Sequence, residues 1–159
     1  MKRKQKLSWL FALLLLAGST QSFSQTIKEF FSNNSTPLTY LGIDYYHNRL
    51  INDPGGNPDD IRGRLYGSMN DVVIAEMAKN YDIAGAFRRN GGVTPDITAV
   101  TARNEKVNAK DIRSFSVADF NRLTKADIAA EVKALSLKDK DGTGLVFNNG
   151  GQEKGREER

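Results

Sequence analysis

The chain has 159 residues, with 23 Lys/Arg against 19 Asp/Glu, a single histidine and no cysteine. The absence of cysteine excludes disulfide staples, thiolate metal sites, a cysteine nucleophile and attachment of a lipid through a thiol. The surplus of positive charge is not a nucleic-acid footprint, because of where it lies.

Lys2, Arg3, Lys4 and Lys6 form a basic start. An apolar run from Leu7 to Ala17 follows, broken only by Ser8, and then the small and polar stretch GSTQSFS over residues 18–24. Charge, apolar core and a small-x-small site are the three parts of an export signal. Ser22 and Ser24 place small side chains where the processing enzyme needs them, which predicts cleavage before Gln25. The apolar run is about half of the roughly 20 residues that a membrane-spanning helix requires, so no stable membrane anchor is expected after cleavage. Removing residues 1–24 takes four basic residues and no acidic ones, which leaves the two signs equal in number. The expected product is periplasmic or secreted, has no nucleic-acid partner, and is long enough for one domain with one core.

Residues 25–37 read as an N-terminal linker: Ile27, Phe30 and Phe31 offer one amphipathic turn, but polar SNNST follows. Residues 38–46, LTYLGIDYY, carry large side chains at both alternating sets of positions and are rich in aromatic and β-branched types. That suits a strand in the interior of a sheet. NDPGGNPDD, residues 52–60, has the composition of a loop. Ser68 and Asp71 stand at the spacing of a capping box and predict a helix over 69–78, with another turn or two through Phe87. Val73, Met77, Tyr81 and Ala84 would share its buried face, and Gly85, Gly91 and Gly92 weaken and end it. Asp96 as cap and Pro95 in the first turn predict a second helix, with Ile97, Val100, Asn104 and Val107 on one face; a strand through 97–103 is the alternative. Thr124 and Asp127 predict a third helix with Ile128, Val132 and Leu135 on one stripe. DKDGTG then makes a turn into a strand over 144–147. The remaining NNGGQEKGREER, residues 148–159, holds no apolar residue and reads as a polar disordered tail.

Several residues invite chemistry. Asp139, Asp141 and Gly142 suggest a calcium loop, but with Gly142 at the sharp turn, Leu137 would fill the first ligand position and Asn148 the last, where an oxygen donor and a bidentate carboxylate are needed. An Asp-Gly turn is the better reading. Asp53, Asp59 and Asp60 lie close in sequence to Asp44 and His47 and offer oxygens for a hard cation, although the loop composition already accounts for them. His47 is the only imidazole, and serines such as Ser68 are present, but no GxSxG-like elbow accompanies them. Arg88 and Arg89 read as a solvated helix end. Tyr40, Tyr45, Tyr46, Tyr66 and Tyr81 are either core or a binding surface, and core is the simpler reading.

The segments TPLTYLGIDYYHNRLI, KNYDIAGAF and KDKDGTGLVF, in that order, resemble a group of small exported bacterial proteins without an assigned function. The resemblance covers about residues 37–147 and transfers no active-site residue. It implies further strands beyond Phe147, against which this chain looks C-terminally truncated.

The expected fold is therefore α/β or α+β: a small sheet containing residues 38–46 and 144–147, covered by two or three helices, in a single domain over 38–147. A mostly helical domain with one short hairpin is the alternative. The expected function is an exported envelope or periplasmic binding domain, without catalytic or metal-ligating residues and without a cofactor, whose partner is an unidentified protein or small molecule. The alternative is a metal-dependent or hydrolytic enzyme using His47, Asp44 and the aspartates at 53 and 59.

Overall fold

The computed structural model describes residues 27–77, 79–135, 137, 141–150 and 152–153. The expected export signal and residues 139–140 of the DKDGTG turn lie outside the described residues. The expected mixed helix-and-strand fold is what forms: two small, all-parallel sheets with helices packed against them. Among the described residues no helix is long and apolar enough to cross a membrane.

Strand β1, Leu38–Asp44, is the centre of the first sheet. On one side it pairs with β3, Val93–Pro95, and on the other with β5, Thr143–Asn148. A parallel sheet has helices on both faces and so needs apolar side chains at both parities, as the 38–46 pattern anticipates. Leu38 and Leu145 pack with Phe30, Val73, Met77, Ile83 and Phe87 on one face. Leu41 and Val146 pack with Ala99, Val100, Leu135 and Leu137 on the other. The second sheet is much smaller. Its central strand β2, Leu50–Ile51, lies between β4, Arg113–Ser114, and β6, Gln152–Glu153. Beneath it Tyr45, Leu50, Tyr66, Val107 and Ile112 form a third apolar cluster.

The helices correct several expectations. Helix α1, Ile27–Ser32, occupies the expected linker and buries Phe30. The 52–60 loop ends early, because Asn57 caps helix α2, Pro58–Asp60, by accepting from the N–H groups of Asp59 and Asp60. Asparagine at the cap and proline at the first helical position are a standard helix start. A π-helical stretch, Ile61–Leu65, leads into α3, Tyr66–Glu76. Ser68 therefore sits inside a helix rather than starting one, and its hydroxyl donates to the Arg64 carbonyl. The helix does not run on through Phe87: α4, Ile83–Ala86, is separate and capped by Asp82. Tyr81 between them is exposed. Pro95 belongs to β3, and the helix predicted after it is α5, Thr98–Asn104, with Val100 and Asn104 buried as expected. Thr124 and Asp127 form the predicted capping box of α6, Lys125–Ala134. On its stripe Leu135 is buried, whereas Val132 is 44% exposed. The strand expected to reach Tyr46 ends at Asp44, and the expected polar tail begins with Asn148 in β5 and contains β6.

β1 is irregular near its carboxyl end. Its register against β5 shifts between Tyr40 and Gly42, and Gly42 has φ +110°. A Cβ at this glycine would lie 3.2 Å from both Asn70 Oδ1 and Val100 Cγ1. Such a bulge takes backbone groups out of the ladder, and asparagines from α3 and α5 supply partners. Asn70 Oδ1 accepts from the Ile43 N–H at 2.8 Å and the Tyr40 hydroxyl at 3.1 Å. Asn104 Oδ1 accepts from the Tyr45 N–H at 2.8 Å, and its Nδ2 donates to the Ile43 carbonyl at 2.9 Å. Two buried amides thus hold the carboxyl end of β1 in place.

Candidate functional site

The order β3-β1-β5 means that the chain leaves β1 toward one neighbour and later returns to the other. In open parallel sheets, the crevice at the carboxyl ends of the strands where the order switches is where ligands bind. The residues there are Asp44 at the end of β1 and Asn148 at the end of β5, which are direct cross-strand partners.

Asp44 is 1% exposed. Its Oδ1 accepts from the Tyr46 N–H at 2.9 Å, which folds the chain back after the strand. Its Oδ2 lies 3.0 Å from Nε of Arg103 on α5, an ionic contact whose N–H is not aimed for a hydrogen bond. Arg103 Nη2 is 3.1 Å from Glu131 Oε1 on α6, and the same oxygen meets His47 Nε2. Glu131 Oε2 accepts from Asn148 Nδ2 at 2.8 Å. The aromatic lip is Tyr46, whose ring lies under the Arg103 guanidinium at 4.7 Å and edge-on to His47 at 4.9 Å. Four elements therefore converge on one charged chain, Asp44–Arg103–Glu131–His47. Burying charges costs several kcal/mol per ion before pairing, so the cluster is weak evidence of stabilisation, and its place at the strand ends makes it the candidate site.

The turn after β1 continues it. Asn48, 2% exposed, closes the turn by donating its N–H to the Tyr45 carbonyl. Its Nδ2 donates to the Tyr66 hydroxyl at 3.2 Å, while its Oδ1 is buried without a partner. Arg122 Nη2 donates to the His47 carbonyl, and Arg49 Nη1 to the Asn48 carbonyl at 2.8 Å. Burial, together with the nearby Arg49 charge, draws the Arg122 guanidinium below its usual pKa against the opposing pull of Asp119 and Glu131.

No protein-family model, curated protein or solved structure matches this chain. The geometry alone carries the functional reading.

Of the residues singled out in the sequence, Asp44 and His47 do come together, bridged by Arg103 and Glu131. The loop aspartates do not join them in any described contact. Asp53 Oδ1 accepts from the Gly55 N–H. Asp60 pairs with Arg64, whose two hydrogen bonds hold that carboxyl below the usual carboxylate range. Asp59 is exposed beside its cap. Among the described residues no group of three or more His, Asp or Glu is arranged to hold a metal. Gly142 does make a sharp turn, at φ +111°, but a Cβ there would meet the Pro37 carbonyl at 2.4 Å, so the glycine serves the β1–β5 junction. Asp139 lies outside the described residues, and Asp141 is exposed. Tyr40, Tyr45 and Tyr66 are core, with Tyr45 and Tyr66 stacked at 4.2 Å, whereas Tyr46 and Tyr81 are exposed. Arg89 is no solvated helix end: it is 6% exposed and donates to the carbonyls of Phe30, Asn33 and Phe87.

Sequence reasoning missed Arg103, Glu131, Asn148, Arg49 and Arg122. Arg103 and Glu131 fall beside the apolar stripes of their helices and look like ordinary solvated positions. A usable clue was Arg103 preceding Asn104, a polar residue already assigned to a buried face. Open depressions of about 520 and 530 Å³, one lined by Met77, Asp82 and Val93 and one by Pro58, Arg62 and Lys106, contain none of these groups.

Proposed function

We propose that this protein is an exported, non-catalytic binding domain of the cell envelope or periplasm that takes a small polar ligand at the carboxyl ends of β1 and β5. The observation that carries the reading is the chain Asp44–Arg103–Glu131–His47, buried at Asp44 and half-buried at its other members, at the switch of strand order and lipped by the half-exposed Tyr46. Its charged groups are paired with one another, which suits a preorganised binding wall better than a free general base. Export is supported by the basic, apolar and small-residue pattern of residues 1–24.

The test is a thermal-shift screen of the processed protein against sugars, amino acids, organic acids and phosphates. A hit is expected to perturb the amide signals of Tyr46, His47 and Asn148 and to vanish in Glu131→Gln. Hits whose perturbations all map to the α3–α4 side of the sheet would defeat the assignment. Intact mass of the protein from its native envelope is expected to begin at Gln25, and a species retaining Met1 would defeat the export component.

A hydrolytic reading draws on one observation, the contact between His47 and Glu131, since a carboxylate can orient an imidazole that activates water. It predicts turnover of an ester or phosphoester panel that His47→Ala abolishes. Turnover of that kind would replace the binding reading.

A further inference from the structure

Two guanidinium groups reach the turn between β1 and β2. Arg122 and Arg49 hydrogen-bond to the carbonyls of consecutive residues, His47 and Asn48, which brings their charges onto one short piece of backbone. Neither has a carboxylate within 4 Å among the described residues, where the ion pairs are Asp60–Arg64, Asp44–Arg103, Glu131–Arg103 and Glu131–His47. Asp119 and Glu131 lie near enough to attract Arg122 but form no ion pair with it. Asp119 Oδ2 accepts from the Ser114 hydroxyl at 2.5 Å, and both oxygens of Glu131 are taken by Arg103, His47 and Asn148. Arg122 Nε is buried with no hydrogen-bond partner, and Asn48 Oδ1 in the same turn is likewise unmatched. A buried donor left unmade is costly, and the nearby Arg49 charge adds to the cost of holding Arg122 charged. An oxyanion that accepts from the accessible nitrogens of both guanidiniums offsets that repulsion, and their planar forks fit carboxylate and phosphate oxygens.

We infer that Arg49 and Arg122 form an anion site on the β1–β2 turn, taking the carboxylate or phosphate group of a small ligand. The inference rests on the binding reading above and specifies it: the anionic group sits on the arginine turn, and the rest of the ligand reaches the Tyr46–His47 lip.

The test uses isothermal titration and thermal unfolding of the processed chain in low-salt buffer. The probes are inorganic phosphate and malonate, with chloride at matched ionic strength as the control. Saturable binding of at least one probe is expected, with a melting temperature raised by roughly 5 °C near saturation. Phosphate and malonate responses distinguish a phosphoryl from a carboxylate ligand. Arg122→Gln and Arg49→Gln are each expected to weaken the probe on the order of tenfold. Arg49 is only half-buried and keeps the test open if Arg122→Gln does not fold. A response matched by chloride, or equal affinity in Arg49→Gln, overturns the site. If neither anion binds while a neutral ligand perturbs Tyr46 and His47, the anion site falls and the binding reading stands. If the anions bind and Tyr46 and His47 stay silent, the site holds and the wider reading falls.

Discussion

Two arginines stand in different parts of this small fold and could hardly be treated more differently. Arg89 is enclosed and complete: Nε, Nη1 and Nη2 donate at 2.7, 2.6 and 2.8 Å to three carbonyls, and the guanidinium covers the Phe30 ring at 4.1 Å. Arg88, at φ +53°, turns the chain so that its neighbour points inward. The bond to Phe30 satisfies a carbonyl in the last turn of α1, and the bond to Asn33 reinforces one that also accepts from the Thr36 N–H. Arg122 is only half-buried, makes one described bond, keeps a buried Nε unmatched and lies near the Arg49 charge. The first is a clamp, and its charge is incidental. The second leaves bonding capacity unused, and unused capacity in a folded protein points to something that arrives later.

The largest way to break the comparison is alkali, because it attacks the ground beneath Arg122. Burial, with smaller contributions from neighbouring tyrosines, pushes Tyr40 and Tyr45 up to about 12, and burial also raises Tyr66. The native state therefore holds protons that the unfolded chain releases near the ordinary value of 10. This stability is fully present below about pH 10 and is lost as pH rises toward about 12. Circular dichroism and tyrosinate absorbance are expected to change together in that window, and tyrosinate from Tyr45 forming at about pH 10 with the fold intact would contradict the assignment.

Next in size is Arg89→Ala, which strands the Phe30 and Phe87 carbonyls and leaves that of Asn33 with the Thr36 N–H alone. We expect a loss of about 3 kcal/mol in urea unfolding, with early exchange of the α1 amides; a change below about 1 kcal/mol would show that α1 does not depend on the clamp. Asn104→Ala removes the partners of the Tyr45 N–H and the Ile43 carbonyl at the end of β1, and is expected to cost about 2 kcal/mol. The smallest effect is expected from Arg122→Gln. It deletes one hydrogen bond but also an unmatched buried charge, so stability should stay within about 1 kcal/mol of the parent. A loss as large as that of Arg89→Ala would make Arg122 a second clamp and remove the contrast.

How far the sequence is legible depends on the same division between local and remote causes. β1 shows in its two-sided apolar composition, and α6 in Thr124 and Asp127, because both signals lie within a few residues of what they produce. Asn57 and Pro58 carried an equally local helix start, but it was masked by the glycines and aspartates around it. Ser68 and Asp71 offered the right spacing in the wrong place, since a serine inside a helix can return its hydroxyl to the preceding turn. β2, β4 and β6 have two residues each, too few for any period to register. The charged cluster was the least legible. Asp44 and His47 were visible as candidates, but their partners come from α5 and α6, and nothing adjacent in sequence marks Arg103 or Glu131 as anything but surface.

The parallel pairing of β1 with β5 also has a meaning in time. Leu38 finds Thr143, and Leu50 finds Gln152, only after the intervening helices have been synthesised. Pairing across such a separation closes a long loop before any contact rewards it, which makes assembly slow. The strand at the heart of the molecule thus stays half-partnered until most of the chain has been made, and the first sheet is expected to close only late in synthesis.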